Sequence, residues 1–211
     1  MAHDHVTANR LIAAAERVIC RARVFGDVTV RRIAAEAEVN PSAIAYHFGS
    51  LEKLTAAVGA RIYRRLNAER VDELQRAVDR ARPQPPGIDG LVAALVGPSI
   101  RWSLDPASAY PVLTYMNRLA LMADTPDSYR EMIENVEHHR IFIRYLREAA
   151  PWYDEVEIGW RLNAALGVRT QVIRSRRRTA ALTGGAIDLD DADTVVRHLV
   201  SVIAPMFGPP R

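Results

Sequence analysis

A chain of 211 residues with 49% hydrophobic and 25% charged residues has the composition of a folded globular protein with length for a sizeable core, which excludes a disordered chain. No run approaches the roughly 20 apolar residues of a membrane-spanning helix, and no basic segment followed by an apolar one opens the chain, so a cytoplasmic protein without a membrane partner is expected. The formal net charge of +3 permits a nucleic-acid partner without demanding one, and a single cysteine, Cys20, excludes an intramolecular disulfide and any Cys-x-x-Cys framework.

Helical spacing recurs along the whole chain and strand-like alternation does not, so the expected fold is all-α, with about nine helices. Leu11, Ala15, Val18, Ala22 and Phe25 follow one another at intervals of four and three, and Gly26 then offers a C-terminal cap, which predicts a first helix over about 8–25. Thr29 caps a short second helix carrying Val30, Ile33, Ala34 and Ala37. Asn40 is a preferred N-cap and Pro41 suits a first helical turn, so a third short helix is expected over about 41–48. Ser50 then caps a long helix marked by Leu51, Leu54, Val58, Ile62, Leu66, Leu74 and Val78, which ends at the proline loop beginning with Pro83. Further helices are expected near 89–104, 110–123, 126–149, 153–182 and 190–206, punctuated by prolines and by Gly184-Gly185.

Residues 28–48 place two short helices around a turn at 37–40, which is the spacing of a helix-turn-helix. Ile33, Ala37, Val39, Ile44 and Phe48 would close a small core against the first helix. Asn40, Pro41, Ser42, Ala43, Ala45, Tyr46 and His47 are left for an outward face, and short side chains at a helix start let it approach base edges in a major groove about 12 Å wide.

Thr29 to Leu54, above all Tyr46-His47-Phe48-Gly49-Ser50 and Glu52-Lys53-Leu54, resembles the amino-terminal domain of TetR-type transcriptional repressors, and the likeness extends over about residues 6–56. The resemblance implies a homodimeric repressor that binds a palindromic double-stranded DNA operator and is released or modulated by a small molecule. Carried over position by position, it makes Asn40, Pro41, Ser42, Ala43 and Ala45 the candidates for base-edge or methyl contact, and Thr29, Tyr46 and His47 the candidates for phosphate. Two residues depart from the pattern. Glu38 stands where the turn usually has glycine, and Leu51 stands where a phosphate-binding lysine is common; Lys53, two positions on, faces another side of the helix. Residues 1–48 balance six arginines against five acids, so affinity must draw on dimerisation as well as charge.

The remaining chain is expected to form a ligand-binding and dimerisation body, giving domains at 1–48 and 49–211. Trp102, Tyr115, Met122, Phe142 and Trp160 are candidate pocket walls, with Arg118, His139 and Asn163 as polar groups among them, for an effector that is largely apolar or aromatic. Arg118 is the candidate partner for an anionic or carbonyl end. Glu134 and His138 have metal-ligand spacing but no third ligand, so neither a metal nor a cofactor is expected. No phosphate-binding loop, Gly-x-Gly-x-x-Gly, Gly-x-Ser-x-Gly or His-Glu-x-x-His is present, and an enzyme is not expected.

The last two predicted helices are apolar on more than one face. One stripe holds Val195, Leu199, Val202 and Met206; Val196, Val200, Ile203 and Phe207 widen it, and Leu162, Leu166, Val172 and Ile173 echo it in the preceding helix. A two-fold, four-helix dimer interface is the expectation. Arg169, Arg174, Arg176, Arg177 and Arg178 form a basic run with no acid between Arg161 and Ile187, expected to be solvated and paired with the aspartates from Asp188 onward. A DNA-binding dimer with no small ligand is the alternative left open.

Overall fold

The computed structural model describes residues 2–121 and 127–210, so Met122 of the candidate pocket lies outside the described residues. Among the described residues there are eleven α-helices: α1 Ala2–Arg21, α2 Val30–Glu36, α3 Ser42–Phe48, α4 Leu51–Ala81, α5 Ile88–Leu104, α6 Tyr110–Leu119, α7 Asp127–Glu134, α8 Glu137–Ala149, α9 Glu155–Arg174, α10 Arg176–Leu182 and α11 Ala192–Ile203.

The all-α class is as expected, and the two additional helices come from breaks within longer predicted segments. Asn135 and Val136, two weak helix formers in succession, separate α7 from α8, and the His139 amide starts a new turn on the Val136 carbonyl at 2.8 Å. Ser175 separates α9 from α10: its backbone leaves the helical well at φ −115° and its Oγ accepts the Gln171 side-chain amide at 3.0 Å. The first helix also ends earlier than predicted, at Arg21. The Asp27 carboxylate accepts the amides of Arg23 at 2.9 Å and Val24 at 3.1 Å, which draws the chain into a separate 3-10 turn at Phe25–Asp27. α11 stops at Ile203 because Pro205 cannot continue its ladder, and the chain closes with a 3-10 turn at Ala204–Phe207.

The chain divides into two compact units. The first comprises 1–65 and 107–135, the second 66–106 and 136–211, so α4 contributes its first half to one and its second half to the other. In the first unit α1 packs against α2, α3 and α6. Its buried stripe is Leu11, Ala14, Ala15 and Ile19, one helical step round from the predicted one, so Val18, Ala22 and Phe25 are only half-buried. Ile33, Ala37 and Ile44 are buried as predicted, while Val39 and Phe48 sit at the edge of that core. Tyr129 of α7 is 2% exposed, and its hydroxyl hydrogen-bonds that of Thr55 on α4.

The second unit is built round α5, whose residues from Leu91 to Ile100 are almost all buried. α8, α9, α11 and the terminal 3-10 turn all pack on it. Val195, Leu199, Ile203 and Phe207 of the expected dimer stripe are buried within the chain, together with Leu162, Phe142 and Leu146. Much of the apolar excess read from the sequence is therefore absorbed by α5, a helix apolar on every side.

Candidate DNA interface and effector body

The turn between α2 and α3 is held by local chemistry. Thr29 caps α2 by accepting the Arg32 amide on Oγ1 at 3.3 Å, which leaves the hydroxyl its proton for an acceptor such as phosphate. Asn40 Oδ1 accepts both the Ser42 amide at 2.9 Å and the Ser42 hydroxyl at 2.7 Å and so opens α3. Between the helices Glu38 has φ +53°, the left-handed conformation for which glycine is suited and a side chain is penalised. Arg10 steadies this turn, donating to the Ala37 carbonyl at 2.7 Å with the Glu38 carboxylate 3.6 Å away. Gly49, at φ +79°, ends α3.

Asn40, Pro41, Ser42, Ala45 and Tyr46 are exposed along the start and outer side of α3, and Ala43 and His47 are half-buried. Tyr46 is 76% exposed, an unusual position for an aromatic ring that packing does not require, and it meets the His47 imidazole edge-on with centroids 4.9 Å apart. Thr29 is half-buried at the head of α2. The eight residues singled out for DNA thus fall on the turn and α3, together with the cap of α2.

Much of the positive charge of this module is committed to ion pairs. Glu36 binds Arg17 at 2.5 Å and Arg21 at 3.1 Å, and Asp27 binds Arg32 at 2.6 Å. The Arg17 hydrogen bond holds the Glu36 carboxyl below the usual range, and the Val24 and Arg23 amides do the same for Asp27. Exposed pairs of this kind contribute little stability, but they leave a recognition surface that is polar rather than strongly cationic.

The residues proposed for the effector pocket fall in both units. Tyr115 and Arg118 lie on α6 in the first. Tyr115 stacks on Phe25 at 4.5 Å, its phenol pushed up to about 12 by burial and by Tyr129, and Arg118 lies 6.0 Å over the same Phe25 ring. Trp102, His139, Phe142, Trp160 and Asn163 lie in the second unit. The Trp102 indole donates to both oxygens of Glu69, at 3.0 and 2.9 Å, and Phe142 is inside the hydrophobic core. Trp160 and Asn163 are exposed on α9, in line with Val156, 81% exposed, and Gly167.

The same unit buries Arg70, which was not singled out in the sequence, and half-buries His138 and His139, which were. Arg70 on α4 is 4% exposed, its Nη1 donating to Asn67 at 2.8 Å. The His138 and His139 rings on α8 lie 4.0 Å apart, and His139 Nε2 is buried without a hydrogen-bond partner among the described residues. Burial and the Arg70 charge lower His138 to about 4; burial, His138, Arg70 and Arg169 lower His139 to about 3. The signal was present as a gap: the α4 stripe runs from Leu66 to Leu74, and Arg70 occupies the core-facing turn between them.

A half-exposed recognition helix on a helix-turn-helix, followed by a helical body, defines a DNA-binding regulator. Residues 11–58 match the bacterial regulatory proteins of the tetR family, and residues 93–206 match the Tetracyclin repressor-like, C-terminal domain. The chain belongs to the TetR family of transcriptional regulators. No curated protein matches it in sequence.

Among solved structures it is similar to superantigen PfiT, with TM-score 0.61 and 16% identity over 93% of this chain and 95% of that one. It is also similar to the multidrug binding protein EbrR complexed with imidazole, with TM-score 0.57 and 19% identity over 91% of this chain and 93% of that one. A TetR-like transcriptional regulator from Rhodococcus sp. RHA1 follows with TM-score 0.51 and 20% identity over 93% and 94%. At these identities the likeness is one of fold. No described helix is long and apolar enough to cross a membrane.

Proposed function

We propose that this regulator is a repressor that binds a palindromic operator as a homodimer and responds to a small, largely apolar or aromatic molecule. Residues 1–48 would carry the DNA contacts and 49–211 the effector and the partner subunit. The observation that carries the DNA reading is the presentation of Tyr46, 76% exposed, beside the short residues Ser42 and Ala45 on α3. In this reading Asn40, Pro41, Ser42, Ala43 and Ala45 meet base edges and thymine methyls, and Thr29, Tyr46 and His47 hold phosphates. The dimer would use the outer face of α9, where Val156 and Trp160 are exposed at one-turn spacing, with Val202 of α11, 60% exposed, beside the stripe that faces the core.

The effector reading draws support from the description of EbrR as a multidrug binding protein. Ligand binding in the body would bias α4, which runs unbroken from Leu51 at the end of the helix-turn-helix to Ala81, and so alter the spacing of the two recognition helices. Operator and effector must then weaken or strengthen each other by the same factor. A DNA-binding dimer without a small ligand is the second reading. One cavity of the second unit, between Ile100, Leu104, Val172, Ile173 and Val195, favours it, with room of about 10 Å³ for a single water, whereas the open cleft beside Arg140, Arg147 and Tyr153 has about 470 Å³.

The test is a fluorescence anisotropy titration of the DNA upstream of the protein's own gene against a scrambled duplex, with the wild type and Tyr46→Ala. The expected result is selective binding that weakens about tenfold or more in the variant, whose far-UV spectrum stays unchanged. Equal binding to both duplexes by both proteins would contradict the DNA reading.

A further inference from the structure

α1 packs on α2, α3 and α6 and is tied to α4 by the Glu16–Arg65 ion pair at 2.9 Å. On the N-terminal side of that tie the two helices leave an open groove of about 980 Å³ between them, within the first unit. Ile12, Ala13, Ala57 and Ala60 line it half-buried, and Val6 stands beside them 54% exposed. From Val6 to Ala13 and from Ala57 to Arg64 each wall rises about 10 Å, or two helical turns. The lining holds arginines and no acid. Arg10 is taken up by the Ala37 carbonyl and Glu38, but half-buried Arg61 has no hydrogen bond or ion pair among the described residues. Arg64 donates only to the Ala60 carbonyl of its own helix, at 3.3 Å. Two guanidinium groups thus stand beside apolar surface without a carboxylate, in a unit that pairs Arg17, Arg21, Arg32 and Arg65 with acids.

We infer that the groove between α1 and α4 docks an acidic amphipathic helix of another protein, its apolar stripe on Ile12, Ala13, Ala57 and Ala60 and its carboxylates on Arg61 and Arg64. Alanines on both walls admit large side chains of a third helix between the two, and two turns of groove take anchors at i and i+4. Guanidinium forks at the rim bind carboxylates in paired hydrogen bonds and set the orientation of the incoming helix. A DNA duplex is too thick to enter between two neighbouring helices, and its phosphates gain nothing from alanine and isoleucine, so DNA would leave the apolar lining uncovered. A small molecule would stay exposed along an open groove, and a two-fold contact with a second copy would set arginine against arginine. The occupant would sit on the unit that carries α3, so this inference is independent of the effector reading of the body.

The test is a fluorescence anisotropy titration of labelled helical peptides of about 18 residues with the full-length protein, without DNA. Three alanine-based peptides carry a stripe of leucine, methionine or phenylalanine at i, i+4 and i+7, flanked by glutamates. The controls replace every glutamate by glutamine or shuffle the stripe. The expected result is saturable binding of at least one acidic peptide, about tenfold or more tighter than its two controls. Arg61→Gln/Arg64→Gln, which removes the charge, and Ala60→Trp, which fills the groove, each weaken that peptide about tenfold or more, with circular dichroism showing the fold intact. The double variant keeps its affinity for the upstream DNA to within about threefold. Absence of saturable binding by all three acidic peptides, equal binding of a control, or unchanged affinity in the double variant would each overturn the inference. A double variant that instead loses about tenfold or more in DNA affinity would assign both arginines to the duplex backbone and overturn it as well.

Discussion

Glu38 concentrates a conflict between sequence and backbone at one residue. It has φ +53° in the turn of the helix-turn-helix, and its side chain is 87% exposed with only a 3.6 Å contact to Arg10. A left-handed non-glycine residue costs about 1–2 kcal/mol, and glycine returns part of that through the freer unfolded chain, so Glu38→Gly is expected to stabilise the protein by roughly 0.5–1 kcal/mol. Urea unfolding would show this as a higher midpoint with an unchanged slope; an unchanged or lower midpoint would mean that the Arg10 contact outweighs the strain. The strain was legible in the sequence because the family resemblance puts glycine at this position. Arg70 was not, because a single arginine between Leu66 and Leu74 reads as a pause in a stripe until burial shows that it points inward.

Helices α4 and α8 each carry a testable consequence of their first turn. α4 opens at Leu51, half-buried, where the family resemblance expects a lysine on phosphate, and Lys53 is exposed two residues on, about 200° round the helix rather than on the same face. Leu51→Lys should therefore strengthen operator binding and steepen its dependence on log salt by about 0.9 per subunit. Anisotropy titrations at three salt concentrations measure both, and an unchanged slope would place position 51 away from the backbone of the duplex. α8 opens with His138 and His139, lowered to about 4 and about 3, whereas both titrate near 6.5 in the unfolded chain. The unfolded chain binds more protons below pH 6.5, so their contribution is complete above that pH and is lost as pH falls from about 6.5 toward 3. Unfolding free energies measured from pH 7.5 to pH 5 should fall, with a smaller fall in the His138→Gln/His139→Gln double variant. A flat profile in the wild type would contradict the burial of these rings. Helix boundaries were legible to the extent that capping residues set them, as at Thr29, whereas α3 starts one residue later than the Asn40 cap predicted, with Pro41 as its N-cap. They were misread where a tertiary or side-chain bond ends a helix early, as Asp27 does for α1, or where Ser175 interrupts a long apolar pattern.

Across the whole molecule, the all-α class and the helix-turn-helix were legible because capping and stripe spacing are local properties. The body was less so, because an apolar helix facing a partner and an apolar helix facing α5 have the same pattern; only burial separates Val195 and Leu199, at 5% and 3% exposed, from Trp160 and Val156, at 72% and 81%. This difference places the proposed dimer face on α9. Trp160→Glu should leave the single chain folded and shift it from dimer to monomer in light scattering after size exclusion, with operator binding weakened more than tenfold. A dimer that survives the substitution would move the interface elsewhere.

Hydroxyl-radical footprinting of the upstream DNA tests the account most directly, because it reads the recognition helices and their pairing at once. A dimer with paired α3 helices gives two protected patches on one face of the duplex, separated by one helical turn of about 34–36 Å or a whole number of turns, and Trp160→Glu loses both at the same protein concentration. A single patch, or two patches that persist in the monomeric variant, would contradict a dimeric regulator that reads its operator through paired α3 helices.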